Sequence, residues 1–294
     1  MKFSVFTVMM PEYDCEEVAR TLKRLGYDGV EWRIGYSQSR PNQGMRGEYS
    51  YWWKVKENIP PEKIDEYASK LKDLSDKYDL EVPCLSTYLK PGQIDAIKKV
   101  FEASKILNCS QVRIPSVPYD RQTDRYQQVF DRAVREYAQV VEMARDYRLK
   151  VLLEIDQSFI SITAGPAMVM RIAEKFDPEH FGVIFDPGNM KVEGMTDWKM
   201  SIEMLGPYLA HVHGKNCEWI APGKYRQDGS TVWDLAWVPI KRGLVDWEEI
   251  IRCLQGAGYD EWISFEDFSE IPTEVKLQEN LAYLKSKLSK NPGQ

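Results

Sequence analysis

The stretch FGVIFDPGN, residues 181–189, is a short apolar run that ends in a carboxylate and then meets Pro-Gly. It reads as a buried strand with Asp186 at its C-terminal end. Three other stretches repeat the pattern. VLLEI (151–155) carries Glu154, LAHVHGKN (209–216) carries His213, and EWISFEDF (261–268) carries Glu266. A charged group in such a run is expensive to bury unless it is paired or coordinates a cation. Outward from this core, apolar runs alternate with stretches of helical periodicity along the chain. The pattern predicts strands at 3–8, 28–33, 82–87, 111–115, 150–155, 181–186, 209–215 and 262–267. Helical patterns lie between them, for example CEEVARTLKRLGY (15–27), with Val18, Leu22 and Leu25 on one face, and the long stretch 126–149.

Strict alternation of this kind calls for a parallel sheet with right-handed crossovers. For a chain of 294 residues the expected class is α/β, a closed (β/α)8 TIM barrel forming one domain over 1–294. An open doubly wound sheet is the alternative, but it usually carries a glycine-rich loop after its first strand. Here that strand leads into VMMPEYDCEE (8–17), which has no glycine. The connections at 34–60 and 216–245 are too long for simple βα turns and are rich in Trp, Tyr and Arg. Both follow strands and so rise from the C-terminal face, either as lids over a sugar-sized pocket or as oligomer contacts. The tail LSKNPGQ (288–294) reads as frayed.

Hydrophobic residues make up 43% of the chain and charged residues 29%, as in an ordinary globular protein. No apolar run approaches the roughly 20 residues of a membrane helix. The opening alternation Phe3-Ser4-Val5-Phe6 lacks the form of a signal peptide. Five cysteines without CxxC spacing read as reduced thiols of a cytoplasmic protein. Net charge is −6 and Lys and Arg are scattered, which argues against nucleic acid as a partner.

Residues at the tops of adjacent barrel strands meet over the mouth. Glu154, Asp186, His213 and Glu266 fall on predicted strands five to eight, one on each. Alone, each has a bland reading as a solvated loop carboxylate or a core histidine. Together they make a site for one divalent ion. Three oxygens and an imidazole suit Mn²⁺ first, with Mg²⁺ or Co²⁺ as alternatives, whereas a structural zinc site would favour Cys. His211 lies on the same strand face as His213. His213 is preferred because it is nearer the C-terminal end.

These strand ends, with the opening LGYDGVEWR (25–33), resemble the sugar isomerases and epimerases of the xylose isomerase-like TIM-barrel superfamily. The resemblance covers nearly the whole chain. It implies that the quartet binds one metal and that the substrate is a small carbohydrate. It also implies a homo-oligomer, a dimer or tetramer. The implied chemistry is proton transfer through a metal-stabilised enediolate, with Glu154 and Glu266 as acid and base on opposite faces of the substrate carbon. The sequence departs from the ketose 3-epimerases at three places. Asn189 stands where they carry a His, Trp219 where they carry an Arg, and Gln157 and Ile160 where they carry a Glu. Asn189, Lys215, Gln157, Trp219 and Arg33 are therefore the candidate substrate contacts, and Arg33 on strand two and Arg113 on strand four read either as pointing into the mouth or as ion-pair partners within the barrel layers. The changed positions and aromatic loops support an alternative, a metal-dependent lyase acting on 3-oxo-glycosides or an inosose-type dehydratase. An endonuclease IV-like enzyme would need more histidines than His180, His211 and His213. A non-catalytic sugar-binding barrel would tolerate loss of either Glu.

Overall fold

The computed structural model describes residues 1–36, 55–158 and 160–288. Most of the 34–60 connection, and all but the first residue of the 288–294 tail, lie outside that set. Eight strands form one parallel sheet: β1 (Lys2–Val5), β2 (Trp32–Ile34), β3 (Leu85–Thr87), β4 (Gln111–Arg113), β5 (Lys150–Glu154), β6 (Phe181–Phe185), β7 (Leu209–Gly214) and β10 (Trp262–Phe265). Their spatial order is β1-β10-β7-β6-β5-β4-β3-β2. A parallel bridge between Phe6 and Glu31, with Glu31 N donating to Val5 O at 2.9 Å, brings β2 back to β1 and closes the (β/α)8 barrel. Several strands are shorter than predicted. Residues 7–9 leave the first strand as a 3-10 turn, and much of 28–33 pairs only through bridges at Gly29 and Glu31.

The helices pack their apolar faces on the outside of the barrel. They are α1 (Cys15–Leu25), α2 (Ile64–Lys77), α3 (Ile94–Ile106), α4 (Tyr126–Tyr147), α5 (Pro166–Ala173), α6 (Pro187–Val192), α7 (Trp198–Leu205), α8 (Trp247–Gly256) and α9 (Thr273–Leu288). Local sequence explains their starts. Asp14 and Glu17 form a reciprocal capping box on α1, and Asp197 and Asp246 cap α7 and α8. Between sheet and helices the core holds the fully buried rings of Trp32, Tyr137, Trp198 and Trp247. A separate small apolar cluster joins Leu152, Ile184 and Ala210, on the neighbouring strands β5, β6 and β7, to Cys84, the residue before β3. Among the described residues no helix is long and apolar enough to cross a membrane.

The 216–245 connection contains an antiparallel hairpin, β8 (Cys217–Ile220) and β9 (Asp234–Trp237), which the strand pattern did not predict. Asn216 pins its base. Its Nδ2 donates to Ile240 O and Val245 O, and its Oδ1 accepts from Cys217 N and Val245 N. Gly243 closes the same corner at φ +112°, where a Cβ would come within 2.6 Å of Asn216 Oδ1.

Candidate metal centre

Alternation along the strands delivers the quartet. Glu154 is the last residue of β5, and His213 lies near the end of β7. Asp186 and Glu266 stand one residue past β6 and β10. All four are buried, and one ligand atom from each lies within 4.8 Å of the others. His213 Nδ1 is 2.9 Å from Glu154 Oε1 and 3.9 Å from Glu266 Oε2. His211, the competing imidazole, turns away and pairs through Nε2 with Glu31 Oε2 at 2.9 Å.

Local structure aims each carboxylate. Asp186 is the N-cap of α6, a short helix the sequence pattern missed, and accepts from Asn189 N at 2.9 Å. That leaves its Oδ2 for the centre. Beside Glu266, Asp267 is buried and ties the strand end to α9, accepting from Asn280 Nδ2 at 2.8 Å. Lys276 Nζ donates to the carbonyls of Asp267 and Ser269.

Two cations balance the carboxylates. Arg113 donates to Glu154 Oε2 through Nε at 2.6 Å and pairs with the same oxygen through Nη2 at 2.5 Å. Lys215, 4% exposed, lies 2.9 Å from Asp186 Oδ2 and also contacts Glu266 Oε2. Gly188 admits the lysine stem, since a Cβ there would sit 2.7 Å from Lys215 Cγ. The neighbourhood divides the two glutamates. Burial pushes the Glu266 carboxyl up to about 7, with Lys215 opposing. Burial acts on Glu154 too, but Arg113 and then His213 outweigh it and hold that carboxyl well below its ordinary range. Burial, followed by the charge of Glu154, raises Asp156 to about 6. Asp156 is a half-buried carboxylate at the mouth that the sequence reading passed over.

The candidate substrate contacts divide. Asn189 Oδ1 accepts from Gln157 Nε2 at 2.6 Å and lies 3.3 Å from Lys215 Nζ, so these three form one polar patch beside Asp186. Arg33 is turned elsewhere, with Nη2 on Tyr36 O at 2.5 Å and Nη1 on Asn58 Oδ1 at 3.3 Å. Trp219 is on the hairpin strand β8, 42% exposed, outside the buried quartet. Surface hollows also open around Glu81, Gln111, Lys150 and Glu261, and hold no comparable group of metal-type side chains among the described residues.

The model of the xylose isomerase-like TIM barrel matches residues 19–287. The chain belongs to this family. No curated protein matches it by sequence. Solved structures with the xylose isomerase-like fold resemble it over almost their full length at low identity. The probable 3-DHS dehydratase AsbF of Bacillus anthracis is 17% identical, with a TM-score of 0.72 over 99% of this chain and 100% of that one. The 3-keto-D-glucoside 4-epimerase YcjR of E. coli is 15% identical, with a TM-score of 0.71 over 97% and 99%. The IOLI protein, with a binding zinc atom, is 15% identical, with a TM-score of 0.73 over all of both chains.

Proposed function

We propose that this chain is a divalent-metal-dependent carbohydrate isomerase or epimerase. The observation that carries this reading is the convergence of three carboxylates and one imidazole within 4.8 Å at the barrel mouth. The donor set fits a hard or borderline divalent ion, with Mn²⁺ favoured. Glu154, Asp186, His213 and Glu266 would hold it. Lys215 would then yield the shared oxygens, keeping Asn189 Oδ1 and the ring faces of Trp237 and Phe268, each 5.1 Å from Nζ. When bound, the ion supplies Lewis-acid stabilisation of negative charge developing on the substrate oxygens.

The proton work falls to the two glutamates. They stand on β5 and at the end of β10, with β6 and β7 between them, and so approach a bound sugar from opposite sides. One takes the proton next to the carbonyl and the other returns it to the opposite face. Asn189, Gln157 and Lys215 orient the hydroxyl groups. The similarity to a 3-keto-glucoside epimerase and a probable dehydratase supports this reading, since epimerisation and dehydration next to a carbonyl share loss of the α proton. The test is turnover of free ketoses and 3-oxo-glucosides in D₂O by the Mn²⁺-loaded protein. Deuterium should enter the substrate at the carbon next to the carbonyl, and chelation should abolish it. Activity indifferent to chelation, or no exchange with any carbohydrate, would remove the proposal.

One observation favours a second reading, a lyase or dehydratase acting on a 3-oxo-glycoside. Trp237 and Phe268 meet edge to face at 6.2 Å beside Lys215. Cross-strand pairing puts Cys217 opposite Trp237 and Trp219 opposite Leu235, all on one hairpin face. That apolar shelf suits an aglycone. If it holds one, Trp237→Ala should raise KM for an aryl 3-oxo-glucoside by about tenfold more than it raises KM for a free ketose, roughly the worth of one aromatic contact. Equal effects on both would exclude the shelf.

A further inference from the structure

We propose that Glu31 is the positioning residue of the metal centre, the carboxylate that turns the His213 ring so that Nδ1 serves the ion. It rests on the metal reading above and concerns a residue outside the quartet. Glu31 bridges to Phe6 at the barrel's closing seam and is 0% exposed. Its carboxylate is enclosed by donors. Ser86 Oγ donates to Oε1, His213 Nε2 lies 3.2 Å from the same oxygen, and His211 Nε2 lies 2.9 Å from Oε2.

An imidazole has two nitrogens, and a neutral ring donates from one and offers a lone pair at the other. A carboxylate can only accept. Both ring nitrogens face carboxylates, Nδ1 that of Glu154 at 2.9 Å and Nε2 that of Glu31 at 3.2 Å; with an ion held by the quartet, Nδ1 would turn its lone pair to the ion while Nε2 keeps the hydrogen it donates to Glu31. The Phe6 ring lies 5.7 Å from the His213 ring at 23°, which fixes the ring plane. Glu31 thus sets tautomer and rotation, the usual task of a carboxylate behind a metal-bound histidine. Glu31, His211 and His213 could also be taken for a second metal site. That group offers one carboxylate against the quartet's three, and the Ser86 hydroxyl already donates to Glu31 Oε1.

The experiment measures Mn²⁺ affinity and stoichiometry by calorimetry on the full chain, with the absorption spectrum of the Co²⁺-loaded protein as a second readout. The variants are Glu31→Met, which removes charge and acceptor at similar volume, and Glu31→Gln, which keeps one acceptor oxygen. Wild type should bind one ion. Glu31→Met should bind it about 10–100-fold more weakly and with an altered Co²⁺ spectrum, while Glu31→Gln should recover part of the loss. Should Glu31→Met fail to fold, Glu31→Gln alone decides, with at least a severalfold loss expected. Affinity within twofold of wild type in a folded variant, with an unchanged spectrum, overturns the proposal. Two ions per wild-type chain also overturn it, because Glu31 would then be a ligand itself. A wild type that binds no ion instead defeats the metal reading on which the proposal stands.

Discussion

Replacing Glu266 with Gln is expected to lower turnover by about 10²–10⁴-fold, the usual contribution of a positioned acid or base. Glutamine keeps the volume and one oxygen beside Lys215, so the fold should persist by circular dichroism. The informative readout is the fate of the proton. With Glu154 intact on the other side of the mouth, a carbohydrate that the wild type inverts should still exchange its α hydrogen with D₂O. Inversion of the carbon should nearly cease, because nothing returns a proton on the second face. Exchange and inversion falling together would point to a lost metal ligand instead, which a parallel metal titration would register. Inversion at the wild-type rate would take Glu266 out of the proton path.

The second large effect is on stability. Arg113→Met should destabilise the protein by about 3–5 kcal/mol, because removal of one partner strands a buried charge. Arg113 is 6% exposed and gives both Nε and Nη2 to one oxygen of Glu154, with Nη1 on Thr87 O at 2.9 Å. At this chain length the melting temperature should fall on the order of 10 °C. The pH dependence has a definite sign. In the folded state burial acts most strongly on the Glu154 carboxyl, but Arg113 and then His213 together outweigh it and hold the carboxyl below its ordinary range. That stabilisation is fully present above the unfolded carboxyl value of about 4.3 and is lost as pH falls through the lower folded value. The gap between wild type and variant should therefore be widest near neutrality and narrow in acid. A gap independent of pH, or below about 1 kcal/mol, would show that the pair is not what holds Glu154 charged.

Much of the barrel was legible because each strand is buried on both faces and flanked by amphipathic helices. Short apolar runs and 3.6-residue periodicity record that directly. The hairpin β8–β9 was not, because it is half-exposed and its short strands carry no clean alternation. Nor was α6, six residues started by Asp186 and Pro187, whose cap doubles as a candidate ligand. Lys215 stood in the sequence only as a candidate substrate contact, because nothing along the chain records the two carboxylates it lies between, Asp186 and Glu266.

The sequence alone determined the parallel α/β barrel and pointed to Glu154, Asp186, His213 and Glu266 as neighbours at one mouth, with His213 ahead of His211 as the expected ligand. Those follow from local periodicity and from the position of each residue along its own strand. Only the tertiary structure decided what surrounds them. Glu31, Arg113, Lys215 and Asp267 come from four separate elements, and their roles depend on which oxygen faces which nitrogen across the closed barrel. Arg33 shows the converse, placed at the mouth by its strand yet bound to Tyr36 and Asn58. The physical reason is that burial makes an unpaired charge costly, so each charged group takes the nearest partner in space. Distance along the chain carries no record of that choice.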